Sequence, residues 1–217
     1  IYNVTHFTTY SSQETPSGIP LCGATITSDA ILNADLADSA NNSVCPGDGL
    51  IIGTQNIELN CQGYRITGTV NGDGIRNIGF NNVTIRNCKI QNFTNGIRLV
   101  NASNNQILDN IVDFNGNQFT LGLGVILDNA NNNTLTNNTA RFNTDSGIQI
   151  IAYSRDNVLT NNDLSNNRIR SLFPLPDLVN RVYECHNSIY TSNKGGSKAK
   201  PIRYEHDSFN VTVKDQL

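Results

Sequence analysis

The chain has 217 residues, of which 37% are hydrophobic, 7% aromatic and 15% charged, and its formal net charge is −3. This apolar content is low for a globular core, and the few, balanced charges argue against both a disordered polyelectrolyte and a basic surface that binds nucleic acid. We therefore expect one small domain or one short solenoid, with partners that are not selected by net charge.

Residues 1–20 are polar and alternate loosely from Tyr2 to Tyr10, before a stretch rich in Pro and Gly at 16–20 ends the pattern. We expect an extended segment that stands apart from the first regular element. The chain begins at Ile1, contains no methionine and has no apolar run of the roughly eighteen residues that a membrane helix needs. These features predict a secreted, extracellular protein without a transmembrane segment, although an arbitrary chain start would also remove the initiator methionine.

Five cysteines are present, without a Cys-x-x-Cys pair. In an exported chain some of them are expected to form disulfides. The favoured pairs are Cys22 with Cys45, which closes the N-terminal region, and Cys61 with Cys88, which follows 27 residues later. Cys185 is then left over, either as a buried thiol, the commoner case, or in an intermolecular bond.

Residues 21–170 contain two repeated phrases with a period in the low to middle twenties. One is an aliphatic residue, any residue, and then a small polar residue or Cys; its third position recurs at 61, 87, 110, 137 and 161. The other is a glycine before an aliphatic residue, at 74, 96, 124 and 147. Two independent columns with a shared period predict a solenoid.

The period admits leucine-rich repeats and parallel β-helices, and the segments are too short and too rich in asparagine for a helix on each coil. We predict an all-β parallel β-helix solenoid of about seven coils with atypical N- and C-terminal segments. Asn87, Asn110, Asn137 and Asn161 are predicted to adopt left-handed turns and to form one internal hydrogen-bonded ladder, with about 4.8 Å between rungs. The glycine column is predicted to supply turns with positive φ.

The stretches 22–26, 45–50 and 57–68, which read CGATI, CPGDGL and IELNCQGYRITG, resemble the opening of right-handed parallel β-helix repeat proteins of prokaryotic surfaces and secretions. The resemblance covers about residues 20–170. Pectate lyases, alginate epimerases and periplasmic accessory proteins belong to that superfamily. The resemblance therefore implies a right-handed helix and a leaning toward carbohydrate, without fixing an activity.

Residues 171–217 depart from the repeat, with a Gly195-Gly196 pair and a final alternating run from Phe209 to Val213. Because the ends of a solenoid must be covered, each terminal segment is expected either to cap its own helix or to pair with a neighbouring subunit. The second alternative predicts a homo-oligomer or filament built by head-to-tail contacts.

A search for acidic and basic residues that recur with the period finds no catalytic set. The aspartates of the coils lie in a turn or at different positions of the repeat, so they do not form one column. They are Asp73, Asp109, Asp113, Asp128 and Asp156. Arg76 and Arg98 do align, either as a small clamp for an anion or uronate or, in the favoured interpretation, as solvated residues balanced by nearby carboxylates. No metal or cofactor is predicted, because metal-ligand spacing is absent from His6, His186 and His206.

Asn-x-Ser/Thr sequons are abundant, although a repeat rich in Asn and Thr produces such triplets by chance. Sites outside the coils or at an outward turn are the better candidates for glycans, namely Asn3, Asn41, Asn101 and Asn210. Further candidates within the coils are Asn82, Asn92 and Asn132. Asn137 is disfavoured, because it belongs to the predicted internal ladder.

Three classes of function are compatible with these features. The favoured one is a secreted, glycosylated structural surface protein that self-associates end to end, with a filament as one form of the assembly. The rival is a carbohydrate-active or carbohydrate-binding β-helix, and the third is an adhesive or accessory protein that binds another protein. The lack of a catalytic set argues against an enzyme; an enzyme of this fold would resemble a polysaccharide lyase or epimerase.

Overall fold

A computed structural model describes residues 20–36 and 44–167, and the backbone of five strands beyond them. The described residues form strands numbered β1 to β21 in chain order, and all of their pairings are parallel. The strands lie on three faces of a solenoid, so the predicted all-β parallel β-helix is confirmed.

Sheet 1 contains the longest strands, β1 (Ala24–Ile26), β3 (Leu50–Ile52), β6 (Asp73–Ile78), β9 (Asn95–Val100), β12 (Leu123–Asp128), β14 (Ile148–Ile151), β17 (Arg181–Tyr183) and β20 (Arg203–Glu205). Sheet 2 contains β2 (Ala30–Ile31), β4 (Glu58–Asn60), β7 (Thr84–Arg86), β10 (Gln106–Leu108), β13 (Thr134–Thr136), β15 (Val158–Thr160), β18 (Ile189–Thr191) and β21 (Thr212–Lys214). The third face is formed by β5 (Arg65–Thr67), β8 (Lys89–Gln91), β11 (Ile111–Val112), β16 (Asp163–Leu164) and β19 (Lys194–Gly195). Thr139 bridges β11 to β16 and makes this face continuous.

Five coils in the described residues contain all three faces, at 50–67, 73–91, 95–112, 123–139 and 148–164. The sequence predicts about seven coils that end at residue 170, where the repeated asparagine phrases stop. The strands β17 to β21 continue the same faces beyond that point. In particular β21, within the predicted C-terminal exchange segment, pairs with β18 of its own chain.

The core is a stack of aliphatic side chains that repeat in register from coil to coil. In sheet 1, Ile75, Ile97 and Val125 lie above one another and are fully buried. Sheet 2 contributes an equivalent column through Ile85 and Ile107. Burial of one such side chain contributes roughly 1.5–3 kcal/mol, so repetition over the coils compensates for the low hydrophobic content of the chain.

Each corner between strands pairs an outward residue in the left-handed region with a following inward residue. At the corner after sheet 2, Asn87, Asp109 and Asn137 have φ values of 56°, 55° and 57°. The residue that follows Asp109 is Asn110, which is fully buried. The prediction of a single ladder that contains both Asn110 and Asn137 is therefore wrong. Asn110 lies at the inward position of its corner, whereas Asn137 lies at the outward position and is exposed.

Nine inward-pointing asparagines form three ladders, one at each of three corners. They are Asn105–Asn133–Asn157, Asn110–Asn138–Asn162 and Asn115–Asn143–Asn167. In each ladder the side-chain Oδ1 accepts both the backbone N–H and the Nδ2–H of the asparagine one coil earlier, as Asn138 does for Asn110 at 3.1 Å each. The amides thus satisfy corners that are closed to water.

The glycine column has a steric cause, which corrects the prediction of turns with positive φ. Gly74, Gly96, Gly124 and Gly147 are absent from the left-handed region. A Cβ at Gly96 would stand 2.6 Å from the carbonyl oxygen of Gly124 and would also overlap Val112. These glycines let the backbone turn tightly into sheet 1 against the neighbouring coil.

Two disulfides join the pairs favoured from the sequence. Cys22 and Cys45 have Cα atoms 5.4 Å apart, and Cys61 and Cys88 have Cα atoms 4.7 Å apart. The second bond links adjacent coils at the corner where later coils have an asparagine ladder. Cys185 lies outside the described residues.

Candidate functional site

Arg76 and Arg98 stand in register on the outer surface of sheet 1. Arg76 Nη2 lies 3.0 Å from Asp48 Oδ2, and Arg98 Nη1 lies 3.8 Å from Asp73 Oδ2. Each arginine therefore faces a carboxylate of the preceding coil. This arrangement matches the balanced interpretation, because an anion or uronate would have to compete with aspartates already in place.

Asp73 is the most enclosed of these groups, with 5% of its surface exposed. Its Oδ1 accepts a hydrogen bond of 2.7 Å from Asn95 Nδ2. Burial raises the pKa of Asp73, although the bond from Asn95 and the charge of Arg98 oppose that shift. Asp73 opens β6 and is not the ordinary turn residue that the sequence suggested. The overlooked signal is that Asp48 and Asp73 each precede a glycine one coil apart.

A second feature, which the sequence analysis missed, is an aromatic pair at the corner after the third face. Phe114 and Phe142 lie on adjacent coils with ring centroids 5.0 Å apart and an interplanar angle of 9°. They are 53% and 41% exposed. Beside them runs a groove of 360 Å³, whose lining consists of Asn92, Phe114, Gly116, Phe142, Thr144 and Asn166.

The backbone at these phenylalanines is unfavourable for their residue type. Phe114 and Phe142 have φ values of 59° and 56°, while Asn92 and Asn166 occupy the same corner of the flanking coils at 59° and 60°. A left-handed conformation costs roughly 1–2 kcal/mol for most L-residues but less for asparagine. Phe114 and Phe142 thus occupy a conformation that asparagine adopts at lower cost, as does Val70 at 64° in the same corner of an earlier coil, and such strain is often associated with function.

An insertion in the chain lies beside the same groove. Ile97 follows Phe93 by four residues, whereas their counterparts on the next coil, Val125 and Asn115, are ten residues apart, so that coil is six residues longer. The inserted loop is anchored where Thr144 Oγ1 accepts from Gly122 N at 2.8 Å and donates to Thr120 O at 2.9 Å. Phe119 at its tip is 86% exposed. Long loops on a rigid scaffold are a common location for binding residues.

The charged residues next to the aromatic pair are arranged around Arg141, whose guanidinium lies 5.6 Å from the centroid of the Phe142 ring. Arg141 Nη2 is 3.5 Å from Asp113 Oδ2, and Nη1 is 3.7 Å from Asp163 Oδ2. Burial raises the pKa of Asp113, against the hydrogen bond from the Arg141 backbone and the charge of its guanidinium. Among the side chains that the structure describes here, one cation lies between two carboxylates, so acidic groups are in excess.

The sequons within the described residues all lie at left-handed corners. They are Asn82, Asn92, Asn101, Asn132 and Asn137. The expectation that Asn137 is internal is wrong, because the ladder at that corner is formed by the following residue, Asn138. Asn3, Asn41 and Asn210 lie outside the described residues, as do all three histidines.

The described part of the chain lacks both a metal-binding cluster and a membrane-spanning helix. It holds no cluster of three or more His, Cys, Asp or Glu side chains that fits a metal ion. Nor does it hold a helix with the length and hydropathy of a membrane span.

The geometry can be compared with known proteins. A sequence model of the family described as right handed beta helix region matches residues 48–215. No curated protein sequence matches the chain.

Three solved structures are similar in fold. The tailspike protein 2 (ORF211) of Escherichia coli O157:H7 bacteriophage CAB120 aligns with 92% of this chain and 30% of its own, at a TM-score of 0.60 and 13% identity. The T265N mutant of the periplasmic alginate epimerase AlgG aligns over 90% of this chain and 61% of its own length, with a TM-score of 0.52 and 15% identity. The A-module of the Azotobacter vinelandii mannuronan C-5 epimerase AlgE4 aligns over 89% of this chain and 66% of its own length, with a TM-score of 0.53 and 16% identity.

Proposed function

Because the chain belongs to the right-handed β-helix family, which the match over residues 48–215 establishes, we propose that it is an exported protein that binds an extended saccharide in the groove beside Phe114 and Phe142. The observation that supports this most is the coincidence of the exposed aromatic pair, its strained backbone and the six-residue insertion at one place. The named activities of the AlgG and AlgE4 epimerases are consistent with a carbohydrate ligand on this fold.

The shape of the groove suits a chain-like ligand. Its lining extends from Asn92 to Asn166 over four successive coils. Three steps of about 4.8 Å between parallel strands give a length of about 14 Å along the helix axis. Apolar ring edges flanked by asparagine amides and a threonine hydroxyl match a ligand with C–H faces and hydroxyl groups.

The charges favour a neutral saccharide over a uronate. Arg141, whose guanidinium lies beside Phe142, is already positioned between Asp113 and Asp163. A uronate carboxylate would add a negative charge to a site with two aspartates and one arginine, and like charges in a partly buried site repel. We therefore expect neutral polysaccharides to bind more tightly than alginate or polygalacturonate.

We also propose binding without lyase or epimerase turnover. Within residues 44–167, Arg76 and Arg98 are the basic residues aligned on sheet 1, and both are paired with aspartates; Arg181 and Arg203 continue the same backbone column beyond them. A general base for proton abstraction needs a group matched to that task in reach of the substrate. The check is incubation with alginate and pectate in the presence of calcium, monitored by the ultraviolet absorbance of unsaturated products and by NMR for epimers. Turnover lost on substitution of Arg76 or Arg98 would contradict the proposal.

The decisive experiment for binding uses substitutions that restore the residue preferred at the corner. We expect the double variant Phe114→Asn and Phe142→Asn to lose at least ten-fold in affinity for the best ligand from a panel of neutral oligosaccharides, measured by calorimetry. Parent and variant are produced in a host without N-glycosylation, because Phe142→Asn creates a sequon with Thr144. The free energy of unfolding should stay within about 1 kcal/mol of the parent, because relief of the left-handed strain offsets the lost ring contact.

Ile78 provides a matched control, since it is 49% exposed on sheet 1, away from the groove. Ile78→Ala should leave affinity unchanged. If the double phenylalanine variant keeps its affinity but loses several kcal/mol of stability, the aromatic pair is a structural element and the proposed site is wrong.

Export and end-to-end association complete the proposal. Two disulfides favour an oxidising compartment. Among the described strands, β20 and β21 stand last in their sheets, and an unpaired outer edge at that position is a template for a further strand. Since β21 pairs within its own chain, the N-terminal residues 1–15 are the remaining candidate for a strand donated to a neighbour. Sedimentation of the full chain and of a chain lacking residues 1–15 tests this; a monomeric full chain at high concentration contradicts it.

A further inference from the structure

The described sequons differ in how their side-chain amides are engaged. Asn82 and Asn137 donate through Nδ2 to a residue of the preceding coil, at 3.0 and 3.2 Å. The amide of Asn101 accepts from Asn129. Asn92 and Asn132 make no side-chain hydrogen bond to any residue in the described part of the chain. Modification of Nδ2 at these two positions therefore breaks no contact within the corner.

Asn92 and Asn132 have different neighbours along the helix axis. The corner above Asn92 is occupied by Phe114, and the backbone N–H of Asn92 donates to Phe114 O at 3.3 Å. The corners on either side of Asn132 are occupied by Asn104 and Asp156. Asn92 also lines the saccharide groove, whereas Asn132 does not. Asn92 is thus the described sequon that lies next to an exposed aromatic ring.

We infer that Asn92 is a glycan attachment site, and that the first sugar of the attached glycan packs against Phe114 inside the groove. In the transfer, Nδ2 forms a bond to the anomeric carbon of a phosphate-linked glycosyl donor, the phosphate leaves with the bonding electrons, and Nδ2 loses one proton. This inference rests on the proposed function insofar as it places a covalent saccharide where a free one would bind. In the molecules that carry it, the glycan therefore closes the groove to free ligand, whereas unmodified molecules keep the groove open.

The first test uses protein produced by its natural host. It measures whether Asn92 carries a glycan and whether the effect of that glycan on thermal stability depends on Phe114. Peptide mass spectrometry should find glycan on Asn92. Comparison of the parent with Asn92→Gln should show that the glycan raises the midpoint of thermal unfolding by about 3 °C, the shift expected for about 1 kcal/mol in a chain of this size. The same comparison in a Phe114→Asn background should show no gain.

Asn132→Gln is the matched control, because its corner has no aromatic neighbour. Loss of a glycan there should give the same thermal shift with Phe114 and with Phe114→Asn. A bare Asn92 in natural material would overturn the inference, and so would a glycan at Asn92 whose effect on stability does not depend on Phe114.

The second readout is ligand affinity. Unmodified protein from a host without N-glycosylation should bind the neutral oligosaccharide, and the form glycosylated at Asn92 should bind it at least ten-fold more weakly. Equal affinity of the two forms overturns the inference while the proposed function stands. If the unmodified protein binds no saccharide, the proposed function fails, and the thermal coupling between Asn92 and Phe114 still decides whether the glycan uses the groove.

Discussion

The corners of the early coils and of the late coils solve the same packing problem with different chemistry. In the early coils the inward corner positions are filled by apolar or cross-linked residues, Ile57, Val83, Phe93 and the Cys61–Cys88 disulfide. In the later coils the same positions hold the three asparagine ladders. At the junction the first asparagine of each ladder accepts from the last apolar coil, as Asn105 does from Val83 N at 2.8 Å.

The inward position at a corner therefore accepts different residue types, provided that the side chain fills the available space and nearby backbone groups keep their hydrogen bonds. Apolar side chains gain burial, and a disulfide restricts the unfolded chain. Asparagines achieve little net gain from each bond, but an interrupted ladder leaves buried groups without partners. The late coils should therefore be the more sensitive to single substitutions.

The largest effect is expected for Asn138→Ala in the middle of a ladder. Asn138 accepts two hydrogen bonds from Asn110 and donates to Ile107 O and Asn162 Oδ1. Its loss leaves several buried polar groups unpaired, at roughly 1–3 kcal/mol each, so the free energy of unfolding should fall by about 4 kcal/mol. Chemical denaturation followed by circular dichroism measures this change.

The neighbouring Asn137→Ala is the matched control. Asn137 is exposed and needs only its left-handed conformation, so that substitution should cost about 1 kcal/mol. Equal costs for the two variants would show that the ladders do not distinguish inward from outward asparagines.

A smaller effect is expected when the cross-link of the early coils is removed. Cys61→Ala with Cys88→Ala opens a loop of 27 residues, and loops of this size correspond to about 3.5 kcal/mol in the chain-entropy account. The loss should be measured under the same denaturing conditions, with reduced parent protein for comparison. A loss far above that of Asn138→Ala would reverse the proposed order of the two regions.

The smallest effect is the pH dependence contributed by Asp113. Because burial raises its pKa in the folded state above the ordinary value of 3.8, the folded protein holds this proton more tightly than the unfolded chain. Its contribution to stability is therefore fully present below pH 3.8 and is lost as the pH rises through the raised folded pKa. The stability difference between parent and Asp113→Asn, followed from neutral to acid pH, should shift in favour of the parent. A shift in the opposite direction would mean that Arg141 outweighs burial.

The fold was predictable because two repeated columns share one period in segments rich in asparagine, and the Cys61–Cys88 disulfide because its 27-residue spacing is about one coil. Which asparagine of each coil points inward was not predictable, because Asn137-Asn138 and Asn161-Asn162 each offer two adjacent asparagines for one inward position. Only coils with unlike neighbours, such as Asp109-Asn110, distinguish the inward residue from the outward one.

The aromatic site was missed for a different reason. Phe114-Asn115 and Phe142-Asn143 repeat at an interval of 28 residues, the same step that separates Gly96 from Gly124, but only the asparagine and glycine columns were followed along the sequence. Their shared corner becomes visible only when the insertion of residues between them is placed in a loop. Similarly, Asp48 and Asp73 recur before glycines, but their pairing with arginines of the following coil depends on the register of sheet 1.

The most direct test of the proposed saccharide site is an NMR titration of the isotope-labelled, unmodified protein with the best neutral oligosaccharide. We predict saturable chemical-shift changes at the backbone amides of Phe114, Gly116, Phe142 and Thr144, with the amides of Arg76 and Arg98 unchanged. Changes centred on Arg76 and Arg98, or a titration without specific changes anywhere, would contradict a saccharide site at the aromatic pair.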